Sequence, residues 1–212
     1  MRHQLAVLVL AHAVLLGGCA TGRSVVSPGI DAGANPSQGT AVRIDTVDDA
    51  RVFAVKPPSA DMPSLMNNEI DDKTITSRAI GRKRGGMGKA LGDVLLPEGT
   101  SVASLVQVAV ARGLRESGYR VLGRGDPGYE QAVPIRARVE QFWTWFNPGF
   151  ASVTLTNRAA VNLRGDVPPL AQGRTFSAET VESMQMVVDS DWTAIVNKGL
   201  DALAAQIKDG LR

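Results

Sequence analysis

The chain has 212 residues, 44% of them hydrophobic, and a formal net charge of +2. That length suits one domain with a core of its own, and the near-neutral charge gives no support for nucleic-acid binding, which needs a strong basic excess. Both histidines, His3 and His12, and the single cysteine, Cys19, fall at the start of the chain. Beyond them there is no imidazole and no thiol, which excludes Ser-His-Asp and Cys-His catalysis and zinc sites built from Cys or His. The acidic pairs Asp48-Asp49, Asp71-Asp72 and Asp189/Asp191 read as solvated loop charge or helix capping rather than a glycosidase pair. No metal site, no cofactor and no catalytic residue is expected, and the chain reads as a non-enzyme.

Residues Leu5 to Leu16 are almost entirely apolar and follow a basic Arg2. This run of about 12 residues is too short for the roughly 20 that cross a bilayer, so it reads as a secretory signal, residues 1–18. Leu16-Gly17-Gly18-Cys19 resembles the lipobox of bacterial lipoproteins. The resemblance implies cleavage before Cys19 and diacylation of its thiol, with Leu16, Gly17 and Gly18 as the signal-peptidase box. Ala20, where an aspartate tends to retain such lipoproteins in the inner membrane, implies export to the periplasmic face of the outer membrane. Residues 19–40 are rich in Gly, Ser, Pro, Ala and Asn, and are expected to be a flexible tether.

From Ala41 the pattern becomes that of one domain, residues 41–212. Val42, Ile44 and Thr46 alternate with polar residues, and Arg51–Val55 repeats the habit, predicting one or two strands. Residues 57–74 read as a loop and Ile75–Ile80 as a short strand. Gly81-Arg82-Lys83-Arg84-Gly85-Gly86-Met87-Gly88-Lys89 is the most basic run. It fails as a phosphate loop, because Lys83 and Ala90 stand where glycine and Ser or Thr are required. As a glycine-rich loop it offers Arg82, Lys83, Arg84 and Lys89 to anionic headgroups.

A helix capped by Thr100 or Ser101 is predicted to Ser117, with Val102, Leu105, Val106, Ala109, Val110, Gly113 and Leu114 on one face and Gly118 ending it. A strand follows at Tyr119–Leu122, then a turn to Gly128. Strands at 133–141, 151–163 and 174–187 form a meander, the first running into Phe142-Trp143-Thr144-Trp145-Phe146. Alternation sends Trp143 and Trp145 to one face and Phe142 and Phe146 to the other. Only one face can meet helices, so this cluster is the candidate contact surface for a partner or lipid. Met184 and Met186 read as core filler. Ser190 caps a closing helix whose face is Trp192, Ile195, Val196, Gly199, Leu200, Leu203 and Ile207.

The predicted fold is α+β: a two-layer sandwich, mostly antiparallel sheet, with two amphipathic helices packed on one face. The lipobox, Val26-Ser27-Pro28, the helix ending Ala111-Arg112-Gly113-Leu114 with Gly118-Tyr119-Arg120-Val121, the strand Ile135–Gln141, Thr154–Val161 and the final helix together resemble the YajG-like family of bacterial lipoproteins. Residues 56–90 depart from that pattern. The resemblance implies a location and a fold type but no reaction. The expectation is therefore a membrane-anchored, non-catalytic binding or assembly module with an envelope protein as partner. The alternative is an auxiliary lipoprotein of a lipid or glycolipid transport system.

Overall fold

The structure, a computed structural model, describes residues 21–85, 88–149 and 152–212. Cys19 and the box Leu16, Gly17 and Gly18 lie outside the described residues. The class is α+β. Strands are β1 (Ser24–Val25), β2 (Ala41–Asp49), β3 (Ala79–Arg84), β4 (Ala90–Leu95), β5 (Arg120–Val121), β6 (Val133–Pro148), β7 (Val153–Gly165) and β8 (Arg174–Met184). Helices are α1 (Lys73–Thr76), α2 (Val102–Glu116) and α3 (Asp189–Leu211), with 3-10 turns at Met66–Asp71 and Pro168–Leu170.

All the strands join one sheet, in the order β1-β4-β3-β6-β2-β5, with β7 on β6 and β8 on β7. The sheet is mixed, where a mostly antiparallel one was expected. Pairs β1–β4, β2–β5, β2–β6 and β3–β6 are parallel, and β3–β4, β6–β7 and β7–β8 antiparallel. The parallel pairs arise because long connections, not tight turns, separate these strands in sequence.

β6 organises the sheet. One edge pairs with β7 along its length, while the other meets β2 from Val133 to Val139 and β3 at Thr144. A bulge between Val139 and Gln141 leaves Glu140 without a partner on β7. One inserted residue reverses which side chains face which way. Ile135, Ala137 and Val139 enter the main core before the bulge, and Phe142 after it. Trp143 and Trp145 consequently enter a second core, with Leu65, Ala79 and Leu95.

Both long helices follow the sequence closely. Ser101 caps α2: its hydroxyl accepts from the Ser104 N–H at 3.1 Å, and the Ser104 hydroxyl accepts from the Ser101 N–H at 3.0 Å. Gly118, at φ +100°, takes the left-handed turn that ends it. On α3 the Asp191 carboxylate, rather than Ser190, accepts the N–H of Val188 at 2.8 Å. The predicted apolar faces of both helices are buried. They meet at Gly113, where a Cβ would lie 2.7 Å from Ile207 Cβ and 2.8 Å from the Ala204 carbonyl oxygen. Only glycine permits that approach.

Three stretches differ from expectation. Residues 22–35, read as tether, are fastened along the domain. Gly22 N–H donates to the Leu91 carbonyl at 2.7 Å and Val26 N–H to that of Leu95 at 3.0 Å. The Asn35 side chain holds both the N–H and the C=O of Val121, at 2.8 and 2.9 Å, and Arg115 holds the carbonyls of Ala32 and Gly33. These bonds satisfy a backbone that composition alone leaves without partners.

The second stretch is 51–55, which forms no strand. Arg51 instead turns inward and uses its guanidinium on Asp49 (2.8 Å twice) and the carbonyls of Ala79 (2.6 Å), Phe142 (3.1 Å) and Thr76 (2.8 Å). The third is the basic run: Gly81–Arg84 belongs to β3, which forms a hairpin with β4, and Ile75 falls in α1.

Candidate functional site

The aromatic cluster does not form an exposed surface. Phe142 and Trp143 are fully buried, and Trp145 is 6% exposed. The segment from Phe53 to Ile75 covers the two tryptophans, with Phe53, Ala60, Ile70 and Ile75 packed against them. Trp143 Nε1 donates to the Ala60 carbonyl at 3.2 Å, Phe53 meets its ring edge-on at 5.9 Å, and the Arg158 guanidinium lies over Trp145 at 5.1 Å. A tryptophan pair at the bulged end of a strand needs cover on both faces of the sheet, and this loop supplies the second.

Nor do the four cations gather on one surface. β3 alternates, so Arg82 and Arg84 share one face and Lys83 takes the other. Arg82 is buried with Nε 3.8 Å from Asp93 Oδ1, and Asp93 also meets Arg23 at 3.3 Å and the Met66 N–H at 3.2 Å. Burial pushes the Arg82 guanidinium below its ordinary pKa, against the pull of Asp93. Burial and the Arg82 charge do the same to Arg84, whose Nη2 donates to Ser64 Oγ at 3.0 Å. Both remain cations at neutral pH. Lys89 alone stays exposed. Anionic-headgroup contact through all four is not what this arrangement offers.

What β3 does build is a pocket on the Lys83 face. Leu91 of β4, Phe146 of β6, Val153 of β7 and Trp192 of α3 form apolar walls, and Met186 and Val187, after β8, form the mouth. The cavity is about 270 Å³. Phe146 and Trp192 meet edge-to-face at 6.5 Å. Met186 is 74% exposed, contrary to its reading as core filler, and Val188 beyond it is also exposed. Met184 is partly buried against the main core.

The rim is polar and tightly connected. Lys83 Nζ donates to Ser24 Oγ at 2.6 Å, and Ser24 donates to Asp189 at 2.8 Å. Lys83 Nζ lies 3.4 Å from Asp189 Oδ1. Lys83 is buried while the Asp189 side chain is half exposed. Gln185 also lines the cavity. Thus the pocket combines an apolar interior with a compact set of donors and acceptors at its entrance, the general form of a small-ligand site.

Among the described residues expected at a site, Lys83 and Phe146 line this pocket, while Trp143 and Trp145 share the second core. Leu91, Val153, Trp192, Ser24 and Asp189 complete the site, and no sequence motif links them. Ser24 sits in the supposed tether and Leu91 in an unforeseen hairpin. The alternation of Arg82-Lys83-Arg84 was the one signal that could have separated Lys83 from its neighbours.

No family model matches the chain, and neither does any curated protein. Among solved structures, an uncharacterized protein is similar at 8% identity and a TM-score of 0.46, covering 91% of this chain and 99% of its own. A Helicobacter pylori protein, named as a homologue of neuraminyllactose-binding hemagglutinin, is similar at 8% identity and a TM-score of 0.29, covering 86% of this chain and 94% of its own. Neither likeness is close enough to carry an argument about function.

Proposed function

We propose that this chain is a lipid-anchored envelope protein at the periplasmic face of the outer membrane, acting without catalysis as an auxiliary that holds the apolar part of a lipid or glycolipid. The observation that carries this reading is the apolar pocket at the end of the meander. The competing idea, a module docking a protein partner through the Phe142–Phe146 hairpin, loses its exposed aromatic surface to burial. The lipobox at Cys19 and the resemblance to YajG-like lipoproteins belong with the same reading. So does the two-layer arrangement, supported by α2 and α3 packing on one another and sharing the main core with the sheet.

Position supports it further. Leu91 both walls the pocket and accepts the Gly22 N–H. Cys19 precedes Gly22 by three residues, a span of about 10 Å at full extension. An acyl group on Cys19 would therefore set the pocket mouth, with exposed Met186 and Val188 beside it, at the membrane interface.

Two experiments test this. Cys19→Ser moves the protein from the membrane to the soluble fraction; unchanged membrane association refutes the anchor. A photoreactive residue at exposed Met186, activated in living cells and read by mass spectrometry, yields lipid adducts. A discrete protein adduct instead returns the function to partner docking.

A further inference from the structure

Resting on the lipid reading above, we infer that the pocket selects its ligand by head chemistry: a single acyl chain bearing an uncharged, hydroxyl-rich head such as a glycerol or a sugar. Chain number follows from size, since about 270 Å³ lies just below the roughly 300–1,000 Å³ of ordinary small-molecule sites. Head chemistry follows from the rim. Lys83 and Asp189 are the charged residues among its described lining, one of each sign.

An anionic group brought to Lys83 arrives beside Asp189, because the ammonium and the carboxylate are only 3.4 Å apart. Attraction to one is offset by repulsion from the other, and the cost of removing the anion from water is left unmatched. A cationic head at Asp189 meets the mirror-image problem. Hydroxyls escape it. They donate to the Asp189 carboxylate, whose side chain is half exposed and keeps lone pairs beyond those used by Ser24. They also accept from the Gln185 amide at the same mouth. The rim therefore discriminates against charge of either sign, a preference built from repulsion as much as attraction.

The test uses the full chain carrying Cys19→Ser and three probes of equal chain length: dodecyl glucoside, dodecanoate and dodecyltrimethylammonium. Binding is measured by calorimetry below their micelle concentrations. The glucoside binds at least about tenfold more tightly than either ion. Asp189→Asn removes the negative charge beside Lys83 and keeps an acceptor for Ser24, so dodecanoate gains about tenfold relative to the glucoside. Dodecanoate binding as tightly as the glucoside before that substitution overturns the head preference and leaves the lipid pocket standing. An Asp189→Asn protein with unchanged ranking overturns it too. If no probe binds either protein, the lipid reading itself fails.

Discussion

Trp143→Ala measures whether the segment from Phe53 to Ile75 is a true second layer of core. The indole is fully buried, donates to the Ala60 carbonyl at 3.2 Å and meets Phe53 edge-on at 5.9 Å. Tryptophan side chains bury about 150–250 Å², which at about 25 cal/mol/Å² is about 4–6 kcal/mol as an upper bound. Measured core Trp→Ala losses of about 3–5 kcal/mol agree. Against a total stability of about 5–15 kcal/mol, that is a large share. In urea, with a slope near 2 kcal/mol/M, the midpoint falls by about 2 M. Phe53→Ala alone costs less, and the two substitutions together cost less than their sum, because they share one contact. Met186→Ala, at an exposed site, serves as the control and stays within about 0.5 kcal/mol. A Trp143→Ala loss no greater than that control refutes the covered-tryptophan account.

Other positions give sharper contrasts. Gly199→Ala runs against helix propensity: the gain of about 1 kcal/mol expected in a helix is overridden, because the new Cβ lies 1.9 Å from Asn157 Oδ1. Denaturation should show a net loss of about 1–3 kcal/mol, relieved by adding Asn157→Ala. Arg51→Met strands the Asp49 carboxylate and three carbonyls, so thermal unfolding should report a loss of about 3–5 kcal/mol. Asn35→Ala frees Val121 from both of its side-chain bonds. Hydrogen exchange should quicken over residues 22–35 while the global melting temperature moves little.

Periodicity and capping were the parts of this fold the sequence carried openly. In α2 and α3 every predicted face residue is buried, because an amphipathic stripe has one way to pack. β6 was legible as a strand, and the opposed directions of Trp143 and Phe142 were correct. What alternation could not supply was the fate of the second face, which depends on a loop more than 60 residues away in sequence. The β3–β4 hairpin is hidden in the sequence because Gly81, Gly85 and Gly88 with four cations have the composition of a loop. Its cations are matched by Asp93, the cross-strand neighbour of Arg82, and by the more distant Ser24 and Asp189 for Lys83. The pocket is illegible in the sequence for a related reason: Ser24 lies in the stretch expected as tether, and Leu91 lies between the basic run and α2, where no element is predicted.

The fastening of residues 22–35 also decides where a shortened form of this chain can begin. Composition suggests a cut near Thr40, just before β2. Such a cut removes β1 and bares the outer edge of β4, a row of unpaired N–H and C=O groups that invites edge-to-edge association between copies. It also strips Val26 from the main core and takes Ser24 from the pocket rim. A form starting at Thr21 keeps that edge capped; one starting at Ala41 turns the flank of the sheet into adhesive surface.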